Sequence, residues 1–200
     1  MSNITMTRDT SAARKAMIDS QLRTSGVNEE FVLARMMDVP REDFLPEDKA
    51  DIAYIDRSIA LGDDAHLASP LFYGKLLLEA APRPADRVLL VEGGTGYLAT
   101  LLRPLVENLE TISVADAAAG KIPEGSFSLI LIDGAVETLP DAIGANLEES
   151  GRIVSGLLLR KVTRLASGKK VAGHLALQPV EDLGIPVLHA FDKPKSWTFS

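Results

Sequence analysis

An apolar run, Val88-Leu89-Leu90-Val91, leads directly into Glu92-Gly93-Gly94-Thr95-Gly96-Tyr97 and then into a helix-forming stretch. Glycine lets a chain turn tightly and lets a ligand approach a helix N-terminus with no Cβ in the way. The pattern predicts a nucleotide-type ligand at the end of a buried strand. A tight strand-to-helix turn with no ligand is the plainer explanation of the same glycines. A bound ribose would call for a carboxylate at the tip of the next strand, about twenty residues further on. Asp116 is placed there. Asp133 ends a third apolar run, at the edge of a parallel sheet that faces ligands, where it can serve a site or cap the helix that follows.

These residues need elements to hold them. Val88 to Val91, Thr111 to Val114 and Phe127 to Ile132 are short all-apolar or mostly apolar runs, the pattern of strands buried on both faces of a parallel sheet. Gly151 to Leu159 reads as a fourth strand. Lys161 to Val171 and segments around 185–191 and 196–199 read as antiparallel strands closing the edge. Helices are expected at about 97–108 and 137–148. Before the sheet, residues 9–25 carry Ala13, Met17, Ile18 and Leu22 on a helical period, with Gly26 as a left-handed stop. Asn28 is placed to cap a second helix that ends at Pro40. Pro46 opens a short helical stretch to about Tyr54, residues 55–68 read as irregular loop, and Ser69-Pro70 starts an amphipathic helix stopped by Pro82. The expected architecture is α/β, with a helical N-terminal cap (1–82) on a sheet domain (83–200).

Composition narrows the function. The chain has 200 residues, 46% hydrophobic, enough for a sizeable core. A net charge of -7 with only 5% aromatic residues argues against a nucleic-acid surface. Zero cysteines exclude a disulfide framework and a thiolate nucleophile, and His66, His174 and His189 are too scattered for a metal cluster. The opening segment is polar and no apolar run approaches the roughly eighteen residues of a membrane span, so a cytoplasmic protein without a membrane partner is expected.

Gly94-Thr95-Gly96-Tyr97-Leu98-Ala99 fits the dinucleotide pattern G-x-G-x-x-A, and the whole turn also fits the looser glycine loop of S-adenosylmethionine enzymes. Spacing does not choose between them. Gln21-Leu22-Arg23, Val39-Pro40-Arg41-Glu42-Asp43-Phe44-Leu45-Pro46, Ala53-Tyr54-Ile55-Asp56-Arg57 and Ala68-Ser69-Pro70 do, because their order and spacing resemble the opening of protein-L-isoaspartate O-methyltransferases. With the glycine turn and the Asp133 strand, the resemblance covers most of residues 17–160. It implies a Rossmann-like fold that binds S-adenosylmethionine and methylates the α-carboxylate of isoaspartyl residues in damaged proteins. A carboxylate is already nucleophilic at neutral pH, so such a reaction relies on alignment more than on a strong base. Under this resemblance Glu92, Gly93, Gly94, Gly96, Asp116 and Asp133 stand at cofactor positions, and Tyr54, Asp56 and Ser69 at the reaction site.

Four departures from the family pattern fall on that geometry. Glu92 stands where the first glycine of the G-x-G-x-G loop belongs, setting a charge against the methionine carboxylate. Ala115 takes the acidic position at the tip of strand two, leaving Asp116 one step out of register. Only residues 117–126 join Asp116 to Phe127, where the family has a helix, a strand and an acidic turn near adenine. The sheet is therefore expected to be reduced. The serine of the family's Thr-Ile-Ser-Gln-Pro loop is Ala68, and Ser69 is either its substitute or an ordinary helix cap. Three readings follow: an active isoaspartyl methyltransferase, a non-catalytic binding or scaffolding protein on the same fold, and, more weakly, a dinucleotide-binding protein. A reduced sheet also leaves surface for a second copy of the chain, so a homodimer is expected.

Overall fold

The computed structural model describes residues 10–194. The chain opens with α1 (Ser11–Met17), which runs on through a π turn (Ile18–Leu22) and a 3-10 turn (Arg23–Ser25). Gly26, at φ 86°, ends it in the left-handed region, as its position after the periodic residues predicts. Helix α2 (Glu30–Asp38) buries Val32, Leu33 and Met36. Its N-cap is Glu29, not Asn28, and no side chain caps it. Val39 leaves the helix in extended conformation because Pro40 follows. Two 3-10 turns, Arg41–Phe44 and Glu47–Ile52, come next.

Residues 55–68 are not irregular loop throughout. They contain an antiparallel hairpin, β1 (Ile59–Gly62) and β2 (Ala65–Leu67), turned by Asp63 and Asp64 at φ 48° and 62°. Two successive positive φ values match the twist of a tight hairpin turn, a place more often given to Asn or Gly. Helix α3 (Pro70–Ala80) then starts as its sequence predicts, with Phe72 N donating to Ser69 Oγ at 3.2 Å. Replacing Ser69 with alanine is expected to remove about 1 kcal/mol of stability, a fall of roughly 2–4 °C in Tm for a chain of this size, measurable by thermal melting.

The main sheet has the order β4-β3-β5-β6-β7-β8, formed by β3 (Arg87–Glu92), β4 (Asn108–Ser113), β5 (Phe127–Val136), β6 (Leu147–Leu159), β7 (Val162–Lys169) and β8 (Gln178–Asp182). The first four are parallel, and β7 and β8 add antiparallel. Strands β3 and β5 are buried on both faces, which is why they read as continuous apolar runs. β4 is not. Its residues are exposed or half-buried because it is the edge of the sheet, and the link to β5 holds one short helix, α5 (Val114–Ala118), and no strand. The short connection thus leaves β4 as an edge strand of a six-stranded sheet.

Other elements differ from expectation. Helix α4 (Tyr97–Leu102) and helix α6 (Asp141–Ala145) are about half the predicted lengths. The second antiparallel strand is Gln178–Asp182, wholly exposed, and not residues 185–191. That later segment instead pairs with the end of β5 through one isolated parallel bridge, Val187 to Ala135. Ala135 N donates to Pro186 O at 2.7 Å, Leu188 N to Ala135 O at 2.8 Å, and Thr138 N to Phe191 O at 3.0 Å. Leu188 and Phe191 are buried in the same apolar cluster as Val91, Ile132 and Ala117. The strand expected at 196–199 lies outside the described residues.

One apolar cluster joins the N-terminal helices to the sheet, with Leu22, Met36, Phe72 and Leu76 in it beside Val88, Leu90 and Leu129. Arg152 of β6 locks the end of α3 onto this layer. Its guanidinium donates to Ala80 O at 2.8 Å and Ala81 O at 3.0 Å and pairs with Asp86 at 2.6 Å. Burial pushes the Asp86 carboxyl up, but bonds from Arg152, Ser128 Oγ and the Arg83 N–H outweigh it and leave the group below its ordinary value. This contribution is present at neutral pH and is lost as acid protonates the carboxylate.

Candidate functional site

The carboxyl end of β3 opens into the glycine turn, where three glycines have separate reasons. A Cβ on Gly93 would stand 2.8 Å from Asp133 O and 3.0 Å from its carboxyl group. One on Gly94, at φ 104°, would stand 2.9 Å from Ala65 Cβ in the hairpin. Gly96, at φ 76°, caps α4 in the left-handed region. Glu92, the last residue of β3, folds its side chain back into this turn. Its Oε1 accepts the Gly96 N–H at 3.1 Å, and its Oε2 is shut off from solvent with no partner.

A cleft of about 310 Å³ lies over this turn. Its walls are the hairpin tip (Asp63, Asp64, Ala65), the turn (Glu92, Gly93, Gly94), the start of α5 (Ser113, Val114, Ala115) and the segment just after the Val187 bridge (Leu188, His189, Ala190). This is the crevice outside the strand ends where open parallel sheets hold ligands. Ala115 faces it and Asp116 does not line it. Helix α5 begins at Val114, so Asp116 sits in a helical first turn. Its backbone N–H donates to Ser113 Oγ at 3.0 Å, its Oδ2 accepts from the same hydroxyl at 2.8 Å, and Lys121 lies 3.5 Å away. The expected strand-tip carboxylate is instead bonded to the α5 cap, Ser113.

Beneath the turn is a buried polar group that holds together three elements. Asp133, 4% exposed, accepts the Tyr73 hydroxyl at 3.2 Å, and that hydroxyl accepts the Ala68 N–H at 3.2 Å. Burial, and then the charge of Glu92, push the Asp133 carboxyl well above the usual carboxylate range, and burial pushes the Tyr73 hydroxyl up as well. Arg41, fully buried, donates from Nε to Ala53 O at 2.7 Å and from Nη2 to Ala68 O at 2.8 Å. Its guanidinium lies 5.1 Å from the Tyr97 ring centre and 5.7 Å from that of Tyr73. Sequence reasoning did not assign Arg41, Tyr73 or Tyr97. The only available signal was an arginine inside the Val39–Pro46 block, which periodicity cannot place in a core.

Because folded Asp133 keeps its proton to higher pH than an unfolded aspartate, the native state binds more protons above about pH 4, and stability falls as pH rises through the folded value. Asp133→Asn is expected to flatten this slope, by up to about 1.4 kcal/mol per pH unit, and to leave stability near pH 4 little changed. Urea denaturation of both proteins across pH 4–8 measures it, and parallel slopes would contradict the assignment.

A second cleft, about 500 Å³, opens on the other side of the hairpin between Asp56, Arg57, His66 and Ser69 and the facing Thr163, Leu183, Ile185 and Pro186. His66 joins the two clefts, since its backbone N–H donates to Gly93 O at 3.3 Å while its Nδ1 is buried without a partner. Asp56 and Ser69 are therefore together in one cleft, with the Ser69 hydroxyl engaged as the α3 cap. Tyr54 is elsewhere. Its hydroxyl donates to Glu42 and accepts from Arg14 Nε at 2.8 Å, fastening the N-terminal helix and lining neither cleft. Among the described residues no group of three or more His, Asp or Glu is arranged to hold a metal ion, and no helix is long and apolar enough to cross a membrane.

A mostly parallel sheet with a glycine turn after its first central strand and a crevice at the strand ends defines the Rossmann-like α/β class. The model of the protein-L-isoaspartate(D-aspartate) O-methyltransferase family matches residues 12–115. The protein-L-isoaspartate O-methyltransferase of Koribacter versatilis is 30% identical over 193 residues, covering 84% of this chain and 87% of its own length. That of Methylorubrum extorquens is 30% identical over 185 residues, covering 78% and 81%. A Plasmodium falciparum structure described as a protein-L-isoaspartate O-methyltransferase in complex with S-adenosyl-L-homocysteine superposes with a TM-score of 0.68 at 17% identity, over 88% of this chain and 97% of that one. The chain belongs to the protein-L-isoaspartate O-methyltransferase family, whose methyl donor is S-adenosylmethionine.

Proposed function

We propose that this chain is a divergent family member that keeps the peptide-binding cleft and has lost an effective hold on S-adenosylmethionine, so that it binds isoaspartyl-containing protein segments without repairing them at an enzyme's rate. The observation that carries this reading is the Glu92 carboxylate seated on Gly96 N–H. A ligand's own carboxylate would meet a like charge there and find that amide already bonded. The other donors agree. Ala115 offers a ribose no acceptor, Asp116 is turned to Ser113 and Lys121, and no strand lies beyond β4 among the described residues. The residues present do not fit the whole cofactor.

The second cleft, with Arg57 and His66 in its wall, supports the protein-binding half of the reading, because both side chains can donate to an isoaspartyl carboxylate. The proposed setting is the cytoplasm. The unpaired edge of β4 favours a homodimer, which light scattering tests: a dimer mass supports it and a monomer mass rejects it. The functional reading is tested by calorimetry and a methyl-transfer assay on one preparation. Binding of an isoaspartyl peptide, with no heat from S-adenosylmethionine at millimolar concentration and no labelled ester, supports it. Micromolar cofactor binding with methyl transfer to the peptide overturns it.

A further inference from the structure

One wall of the second cleft is carried by two separate segments, Asp56, Arg57 and Ser58 on the first and His66 and Ser69 on the second. Each segment sends a backbone carbonyl into the interior at a residue outside the strands and helices, Ala53 and Ala68, both of them buried. A buried carbonyl needs a donor. Arg41 supplies it to both, from Nε to Ala53 O at 2.7 Å and from Nη2 to Ala68 O at 2.8 Å, and its backbone N–H donates to Tyr54 Oη at 3.3 Å. Tyr73 grips Ala68 from its other peptide group, its hydroxyl accepting the Ala68 N–H at 3.2 Å. A guanidinium is a planar fork with fixed N–H directions, so two carbonyls bonded to one such group are held at a set separation.

We infer that Arg41 is a positioning residue of the second cleft: from the interior, touching no ligand, it fixes the two segments against each other and so sets the affinity for an isoaspartyl segment. The inference rests on the reading of that cleft as the peptide site. Binding groups carried on loops keep their geometry only where buried bonds hold the loop backbone, and a displacement on the order of 1 Å is enough to lose it. Ala68 brings no polar side chain to the cleft and its methyl group is buried, so the bonds to its two peptide groups act through its neighbours, His66 and Ser69. Lysine in place of Arg41 has a single ammonium and no planar fork, so it cannot set the separation of the two carbonyls.

Calorimetric titration of the full chain with an isoaspartyl peptide tests this, at a temperature where thermal melting shows every variant to be folded. Arg41→Lys is expected to weaken the peptide about tenfold. Arg152→Lys is the control, because Arg152 also satisfies two buried carbonyls, Ala80 O and Ala81 O, and lines no part of this cleft. It is expected to lose stability and keep the peptide affinity within about twofold. If Arg41→Lys does not fold, Tyr73→Phe decides, since it frees the Ala68 N–H and is expected to weaken the peptide severalfold. Unchanged affinity in the deciding variant overturns this inference and leaves the proposed function standing. An equal loss in Arg152→Lys also overturns the inference, because affinity then follows stability and not the clamp. No binding of the peptide by the unmodified chain overturns both.

Discussion

Glycine in place of Glu92 is expected to raise the affinity for S-adenosylmethionine by about ten- to a hundredfold. The change releases the Gly96 N–H from its 3.1 Å bond and removes a negative charge from the wall of the cleft. Hydrogen bonds to charged groups contribute about 1.5–3 kcal/mol, which sets the range. Recovery is expected to be partial, because the sheet still ends at β4 and nothing is added where a ribose or adenine would lie. A second change, Ala115→Glu, places a carboxylate at the cleft's far wall and is expected to add to the first. Calorimetric titration of the single and double variants measures both effects. An affinity no higher than that of the unmodified protein would show that Glu92 is not what opposes the cofactor.

Arg41→Ala is expected to produce the largest loss of stability of any single change near the site. The guanidinium is completely buried, satisfies two backbone carbonyls from different loops, and packs against the faces of Tyr73 and Tyr97. Alanine leaves Ala53 O and Ala68 O without donors and a void between the rings. Each orphaned buried carbonyl costs about 1–3 kcal/mol and the void adds to it, about 3–5 kcal/mol in all, a fall in Tm on the order of 10 °C. Lysine cannot present the same fork, so Arg41→Lys is expected to recover only part of it. Urea denaturation reads the difference directly, and a loss below about 1 kcal/mol would contradict the role assigned to Arg41.

The parallel core of this protein was legible because strands buried on both faces leave uninterrupted apolar runs, as Val88–Val91 and Phe127–Ile132 do. Ser69-Pro70 was legible because capping is local chemistry. The β1–β2 hairpin escaped notice because its strands are three and four residues long and its turn uses Asp63 and Asp64 in place of Asn or Gly. β8 is exposed at every position and contains Pro179, so it has no alternation to detect. Ile185, Leu188 and Phe191 read as an antiparallel strand because they are apolar, yet they are buried in the two core clusters while the pairing there is one isolated parallel bridge between Val187 and Ala135.

The candidate site was legible in position more than in geometry. The glycine turn and Asp133 are brought together, and Asp56 and Ser69 share a cleft. Asp116 looked like a strand-tip carboxylate because α5 is only five residues long and gives no periodic signal. Tyr54 followed the resemblance to a loop near the reaction site, but its hydroxyl is committed to Glu42 and Arg14, residues remote in sequence. Glu92 was visible as a departure from the glycine pattern. Its bond to Gly96 was not, because it depends on how the side chain folds back over the turn.

The amide of Gly96 reports on the central claim at the atom where it is made. Its resonance, followed by NMR while S-adenosylmethionine is added to the unmodified protein, is predicted to stay in place up to millimolar ligand, and in Glu92→Gly to shift with a saturable titration. A saturable shift of the same amide at micromolar ligand in the unmodified protein would contradict the claim that Glu92 holds that position against the cofactor.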